Sequence, residues 1–588
     1  MDSLRSGILA GPLAGPLGKL TRQRTAPLIL ELDLTDGVIE TRQADPLSAI
    51  MTRHQSTITD LLAGLRAART DARVKALIVK LGGRPVGLGV VQELREAVIR
   101  FREAGKPAWA WAETFGEFSA GNVPYYLATA FDMIYLQPSG DLGLTGLAVE
   151  RVFLRGTLDK LGISMEIGAR HEYKSAPEQL TEKGFSGPSR EAAGRIAQSV
   201  TDQITSAIAE RRGISATDAQ RLVNEGPYLA DQALAAGLVD ALGYRDEVYA
   251  ALRQQVGAEP ILLYVGRYQR MRELTSRAKQ LAGPRPQAVA LIQATGGIRR
   301  GRSGRSPLTG TSMGSDSITA ALRAAIADEH IKTIVLRVNS PGGSYVASDS
   351  IWREVVRARN AGKPVVVSMS DVAASGGYFI SMAADAIVAQ PGTVTGSIGV
   401  FSGKPVLSEA LGKAGVSTDS IVLGDHAAMF STNKPFSSDE WQIVDAWLDH
   451  IYADFTGKVA TGRGLPAERV HELARGRVWT GADALESKLV DELGGVEEAA
   501  AIARRRAGLP VTAPLAPFPR IAPLDRLRPP SNSEDRRAYA IAGTSAERAT
   551  AASATLFAES WGPVWQQAAR CGLSPAGPLL LPGSWIFH

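Results

Sequence analysis

Ser375 sits between two alanines and two glycines in DVAASGGYFISMAADAI, residues 371–387. A hydroxyl so placed suits either close packing ahead of an Ala-rich helix or nucleophilic attack. A nucleophilic serine needs a base to take its proton and N–H groups to receive the oxyanion it creates. The run itself contains no base. Glycines meet the second need, because backbone without a side chain lets a reacting group come close. Gly376 follows the serine, and VNSPGGSY (338–345) places Gly342 and Gly343 directly after a β-branched run. Gly343 and Gly376 are the expected donors, with Gly342 beside them. Both Gly pairs are equally ordinary turn formers, so glycine alone does not decide.

Two kinds of base are available. Of the seven histidines, His426 in LGDHAAMFST follows Ser375 by 51 positions and could complete a Ser–His–Asp set with Asp385 or Asp371. A lone histidine in such a loop is also an ordinary surface residue. A desolvated lysine is the alternative, since it can lose its proton near neutral pH. The chain has no lysine between Lys413 and Lys434, where one would be sought. Far upstream, GARHEYKSAPEQLTEKGF (168–185) holds Lys174, with Ser175 next to it as a group to orient the amine or to cap a helix.

An internal repeat connects these residues. LRAARTDARVKALIVKL (65–81) lies over LRAAIADEHIKTIVLRV (322–338), Val74 over Ile331, a shift of 257. The same shift carries EAGKP (103–107) onto NAGKP (360–364). After a slip of four, YYLATAFDMIYLQPSG (125–140) lies over YFISMAADAIVAQPGT (378–393), and LADQALAAGLVDALG (229–243) parallels WTGADALESKLVDELG (479–494). Matches in one order at nearly constant shift indicate two copies of one fold. In the first copy Asn122 stands where the second has Ser375, and Pro85 and Val86 stand opposite Gly342 and Gly343. The copy without the serine carries Lys174. Taken alone Lys174 reads as one exposed lysine among many; this complementarity raises it as a candidate base beside His426.

Each copy alternates amphipathic helix and buried strand, the pattern of an α/β unit with crossover connections. The expected layout is an N-terminal tail (1–24), a first repeat (25–285), a second repeat (286–510) and a Pro-rich linker with a C-terminal extension (511–588). Within the second repeat, GGIRRGRSGRSPLTGTSMGSD (296–316) reads as a loop. The extension holds an Ala-rich helix with Trp561 and Trp565, then the apolar PLLLPGSWIF.

Composition narrows the function further. At 588 residues, 45% hydrophobic and 21% charged, the chain is an ordinary globular protein of several domains. A thinly spread net charge of +5 gives no reason to expect a nucleic-acid partner. One cysteine, Cys571, excludes an intramolecular disulfide and argues against a thiolate metal site. No run reaches the ~20 apolar residues of a membrane span, and SGILAGPLAGPLGKL near the start lacks the form of an export signal. Either end could rest on a membrane surface or pack on the protein.

Taken together, VNSPGGS, DVAASGGYFISMAAD, GTVTGSIGV (392–400) and EYKSAPE (172–178), in tandem over about residues 25–510, resemble the long two-domain form of signal peptide peptidase A. These are membrane-associated bacterial serine peptidases. The resemblance implies a Clp-protease/crotonase-type α/β fold in each repeat, stacked parallel sheets flanked by helices. It implies Ser375 as nucleophile and Lys174 as base. It implies peptide substrates, cleaved signal peptides among them, and a dome-shaped homotetramer with sites facing an enclosed cavity. No metal or organic cofactor is implied. The family's N-terminal membrane anchor has no equivalent here, and the extension after 510 lies beyond the shared part. The competing expectations are a Clp-like Ser375–His426–Asp385 triad, a crotonase-like acyl-CoA enzyme on the shared fold, and a non-catalytic scaffold.

Overall fold

A computed structural model describes residues 26–41, 56–83, 86–117, 119–257, 259–280, 285–306, 310–519 and 579–580. The N-terminal tail, Pro85, the helix expected around Trp561 and Trp565, and most of the apolar C-terminal end lie outside the described residues.

Two sheets carry the molecule. The first runs, from edge to edge, Ala241–Leu242, Met133–Leu136, Ala108–Ala112, Val74–Leu81, Leu28–Asp33 and Ile261–Tyr264, every neighbour parallel. The second repeats that order as Glu492–Leu493, Ala386–Ala389, Val365–Ala374, Ile331–Ser340, Ala288–Thr295 and Leu515–Pro517, again parallel. The central strands, such as VKALIVKL and IKTIVLRVNS, are nearly continuous runs of β-branched and aliphatic residues with both faces buried. That is the requirement of a parallel sheet covered on two sides. Helices Leu88–Glu103 and Val496–Arg506 help to fill the space between the sheets. One apolar core thus runs from Val79, Leu94 and Val98 through Val335 and Val366 to Ala499 and Ile502.

The duplication extends to single hydrogen bonds. Lys106 Nζ donates to the carbonyls of Ala68 and Asp71, tying the end of helix Ile58–Thr70 to the next strand. Lys363 does the same with Ala325 and Asp328, every partner displaced by 257. Asp132 accepts from Arg102 and from Ala108 N; Asp385 accepts from Arg359 and Val365 N. Tyr125 donates to the Leu238 carbonyl as Tyr378 does to that of Leu489. The AGKP lysines and the aspartates Asp132 and Asp385 are therefore framework groups, each satisfying backbone that the turn leaves unpaired.

Two features lie beside the second sheet, the first joining the halves and the second within the second repeat. Strand Ser164–Ala169 of the first repeat pairs antiparallel with Phe401–Val406 of the second. The segment expected as a loop, 296–316, instead builds strands Gly297–Arg299, Gly304–Ser306 and Gly310–Gly314. These form a small sheet whose next member is Gly342–Gly343. Its Gly and Ser content hid the strands, since only Ile298 and Met313 among their described side chains join the hydrophobic core.

Candidate active site

Strand Val365–Ala374 runs buried through the second sheet and ends at Ser375, where a four-residue helix, Gly376–Phe379, begins. This is shorter than the Ala-rich helix expected after Tyr378; the chain leaves the helix at Ile380 and continues in turns. Ser375 itself has φ 54° and ψ −114°, a conformation that L residues rarely adopt. Its N–H donates to the Gly396 carbonyl at 2.8 Å and its carbonyl accepts from Phe379 N at 2.9 Å. Such a turn stores about 1–3 kcal/mol and persists only where its surroundings enforce it.

The glycines around this turn are short of space. A methyl on Gly376 would come to 2.8 Å from Ser348 Oγ and 3.1 Å from both Gly342 Cα and Gly343 N. Gly343 has φ 150°, and a methyl there would meet the Ile298 carbonyl oxygen at 2.1 Å. The two Gly segments thus converge beside Ser375. The Gly342 N–H donates to Ser340 Oγ at 3.2 Å.

Lys174 arrives from the other repeat. Beyond the inter-repeat strand pair, Arg170 N donates to the Val400 carbonyl and its guanidinium binds Asp445 and Asp449 on helix Ser438–Arg463. The chain then turns at His171, and Tyr173 N donates to the Arg475 carbonyl. Gly476, at φ 83°, lies so close that a methyl on it would sit 2.5 Å from Lys174 N. Lys174 Nζ ends 2.9 Å from Ser375 Oγ, 3.0 Å from Ser397 Oγ and 3.2 Å from the Ser397 carbonyl. Burial drives the lysine pKa well below its ordinary 10.5, and among the described residues no carboxylate lies beside the amine to hold the charge. Lys174 is 3% exposed; Ser375 and Ser397 are 0% exposed.

Ser397 was not singled out from the sequence, although it lies inside GTVTGSIGV. Its signal was weak because GSIG reads as a turn, and its own positive φ, 50°, is invisible in the sequence. Ser175 is not among the hydrogen-bond partners of Lys174 Nζ; its backbone carbonyl accepts from Glu178 N in the turn that leads into helix Glu178–Thr181. The histidine alternative does not assemble among the described residues. His426 stands exposed in a surface turn, Asp385 is held by Arg359 and Val365 N, and Asp371 accepts from Val90 N. Asn122, the counterpart of Ser375, spends its amide on Thr145 and Gly146 and braces a turn.

The model of peptidase family S49 matches residues 100–259 and 357–510, and a Clp protease model matches 310–392. Protease 4 of Salmonella typhi is 33% identical over 470 residues, 77% of this chain and 73% of its own. Protease 4 of Haemophilus influenzae is 31% identical over 80% of this chain and 77% of its own. The chloroplastic serine protease SPPA of Arabidopsis thaliana is 32% identical over 76% of this chain, which spans 65% of that protein's length. Fold and strained serine turn thus define a serine peptidase of Clp-like architecture. The chain belongs to peptidase family S49, as a tandem repeat of that family's domain.

Proposed function

We propose that the chain is an endopeptidase working through a Ser375–Lys174 dyad divided between its repeats, with their boundary near residue 285. The observation that carries this is the 2.9 Å approach of a fully buried lysine amine to the serine hydroxyl. Burial without a counter-charge lowers the amine pKa and favours its neutral form, whose lone pair can accept the Ser375 proton. The Ser397 carbonyl and hydroxyl accept the amine's own N–H groups and aim that lone pair.

Ser375 Oγ attacks a peptide carbonyl as its proton passes to Lys174. The N–H groups of Gly343 and Gly376 receive the oxyanion, and the site is dry enough for those bonds to be strong. Lys174 then gives the proton to the departing amine. A water, deprotonated by the same lysine, releases the acyl group and restores the free serine.

Substrates are cleaved signal peptides or similarly apolar segments, bound extended along the Gly342–Gly343 edge. Among the described residues no helix is long and apolar enough to cross a membrane. Membrane association would therefore be peripheral, or made by residues outside those described. A homotetramer is consistent with the exposed Ile421 (95%), Leu423 (87%) and Phe430 (64%), since such groups favour covering by a second copy.

The test is cleavage of an apolar fluorogenic peptide by the wild type, Ser375→Ala and Lys174→Met. Each substitution is expected to lower kcat by at least about 10³-fold, and by no more when the two are combined, because the groups act as a unit. Undiminished cleavage by Ser375→Ala would sink the proposal.

A further inference from the structure

Arg477 stands where two chains of contact to the lysine amine meet. Its carbonyl accepts from Ser397 N at 2.7 Å, and the Ser397 carbonyl and hydroxyl accept from Lys174 Nζ. The bond continues the antiparallel pairing of Val478–Thr480 with Val394–Gly396, the strand whose Gly396 carbonyl takes the Ser375 N–H. On its other side the Arg477 guanidinium lies 4.9 Å from the ring centres of both Tyr173 and Trp479. It donates to Glu191 Oε1 at 2.8 Å, and Tyr173 Oη donates to Oε2 of the same carboxylate at 2.8 Å. Glu191 belongs to helix Gly187–Arg212 of the first repeat, and Tyr173 immediately precedes Lys174. The side chain of one residue thus grips the first repeat, while its main chain holds the acceptor of the amine.

We propose that Arg477 is a positioning residue for Lys174, fixing the amine against Ser375 through Ser397 with its carbonyl and through Tyr173 with its guanidinium. This rests on the Ser375–Lys174 reading above for what the position serves. As a charge pair alone, Arg477 and Glu191 would hold little, their side chains being 22% and 54% exposed. The planar guanidinium adds what charge does not: it stacks on two rings while its edge donates to a carboxylate already bound by one of them. Tyr173 N also donates to the Arg475 carbonyl, so the residue before the lysine is fixed at ring and main chain together. Freed from that grip, the turn would let Nζ leave Ser375 and let water reach it. A hydrated amine titrates nearer to its ordinary value. Of the other titratable groups around the turn, Glu172 is paired with Arg475 and Glu178 accepts from Ser186 Oγ. His171 packs against the rings of Tyr452 and His471. None of them is a hydrogen-bond partner of the amine.

The experiment follows cleavage of an apolar fluorogenic peptide against pH, with Tm by calorimetry, in the full-length wild type, Arg477→Met, Arg477→Lys and Arg195→Met. Arg195 is the control. It lies one turn beyond Glu191 on the same helix and crosses the repeats to Asp483 at 2.5 Å, but bonds to neither Tyr173 nor Ser397. Arg477→Met is expected to lower kcat about tenfold at unchanged KM, short of the roughly 10²-fold cost of a full 1 Å misplacement. The acid limb of kcat/KM is expected to move to higher pH. Arg477→Lys keeps the charge and a donor for Glu191, and is expected to recover part of the loss. Arg195→Met is expected to lower Tm alone. Amide hydrogen exchange, read in the Ser375→Ala background, supplies an arm independent of activity: Ser175 and Ser397 are expected to exchange faster with Arg477→Met than with Arg195→Met. An unchanged kcat and acid limb in Arg477→Met, or the same losses in Arg195→Met, overturn the proposal. Should Arg477→Met not fold, Tyr173→Phe replaces it, removing only the hydroxyl that shares Glu191. Its kcat is expected to fall in the same direction, and an undiminished kcat overturns the proposal. If no chain cleaves peptide, or cleavage survives Lys174→Met, the Ser375–Lys174 reading fails. Exchange then decides alone whether Arg477 holds the turn: faster exchange upholds the grip, equal exchange overturns it.

Discussion

A lysine with no carboxylate beside it and almost no exposed surface can keep a proton only against the cost of burying the charge. That cost suits Lys174 to the role of base proposed for it, and it fixes the sign of two effects. Activity requires the neutral amine, so kcat/KM is expected to rise with pH along an acid limb well below the ordinary lysine value of 10.5. Lys174→Arg removes that limb together with the activity, since a guanidinium does not deprotonate. Stability runs through the same group. Its folded pKa is depressed, so its favourable contribution is present in full only above 10.5 and is lost as pH falls through the lowered value. Lys174→Met is therefore expected to be inactive with a Tm at pH 7 equal to or above the wild type, measured by calorimetry. Ser397→Ala deletes one acceptor of the amine and is expected to lower kcat about 10-fold at unchanged KM. Ser375 and Lys174 were legible in the sequence because each is missing from the other repeat. Ser397 was not, because the feature that aims it is a backbone angle.

At the scale of elements, the lysine is delivered by a pairing that crosses the repeats. Strand Ser164–Ala169 belongs to the first half, yet its partner is Phe401–Val406, and the Lys174 turn is then threaded between Ser397–Gly399 and Arg475–Gly476. Alternating helix and strand patterns announced both parallel sheets, because buried parallel strands write themselves as aliphatic runs. This ribbon and the small sheet over 297–314 left no such mark, the ribbon because its partner strand lies in the other repeat and the small sheet because its strands are short and rich in Gly and Ser. Gly476 tests the delivery. A side chain there meets Lys174 N and Cα at 2.5 and 2.6 Å and must also adopt φ 83°. Gly476→Ala is expected to displace the amine and to lower kcat by about 10²-fold, the scale of a misplacement near 1 Å. Gly464→Ala is the control. Its φ of 62° imposes similar backbone strain, but nothing lies within 4 Å of the added methyl. It should cost about 1 kcal/mol of stability and leave kcat intact.

Across the whole molecule, the contact of Lys174 with Ser375 exists only while the two repeats hold one relative position, and a buried ion cluster at their junction bears on that. Arg337, on a central strand of the second sheet, has no exposed surface. It donates to Glu93 and, at 3.0 Å, to Glu40, both from the first repeat, and to Ser368 and Ser370 of its own. Asp371, four residues before the nucleophile, accepts from Val90 N of the first repeat at 3.0 Å. Three carboxyls thus crowd one guanidinium away from water. Burial, partly offset by Arg337, lifts Glu93 from 4.5 to about 7; burial and the neighbouring Glu40 lift Asp371 from 3.8 to about 6. For an acid with a raised folded pKa, the stabilising contribution is complete below the unfolded value and is lost as pH rises through the folded one. The junction is therefore tightest in mild acid and loosens between about pH 4.5 and 7 through Glu93. Glu93→Gln keeps the shape of the side chain and cannot ionise. Relative to the wild type, its Tm is expected to improve by several degrees on going from pH 5 to pH 8, followed by scanning calorimetry. A Tm difference that stays constant over that range would mean that Glu93 is already ionised in the folded chain at pH 5, with the Arg337 charge outweighing burial.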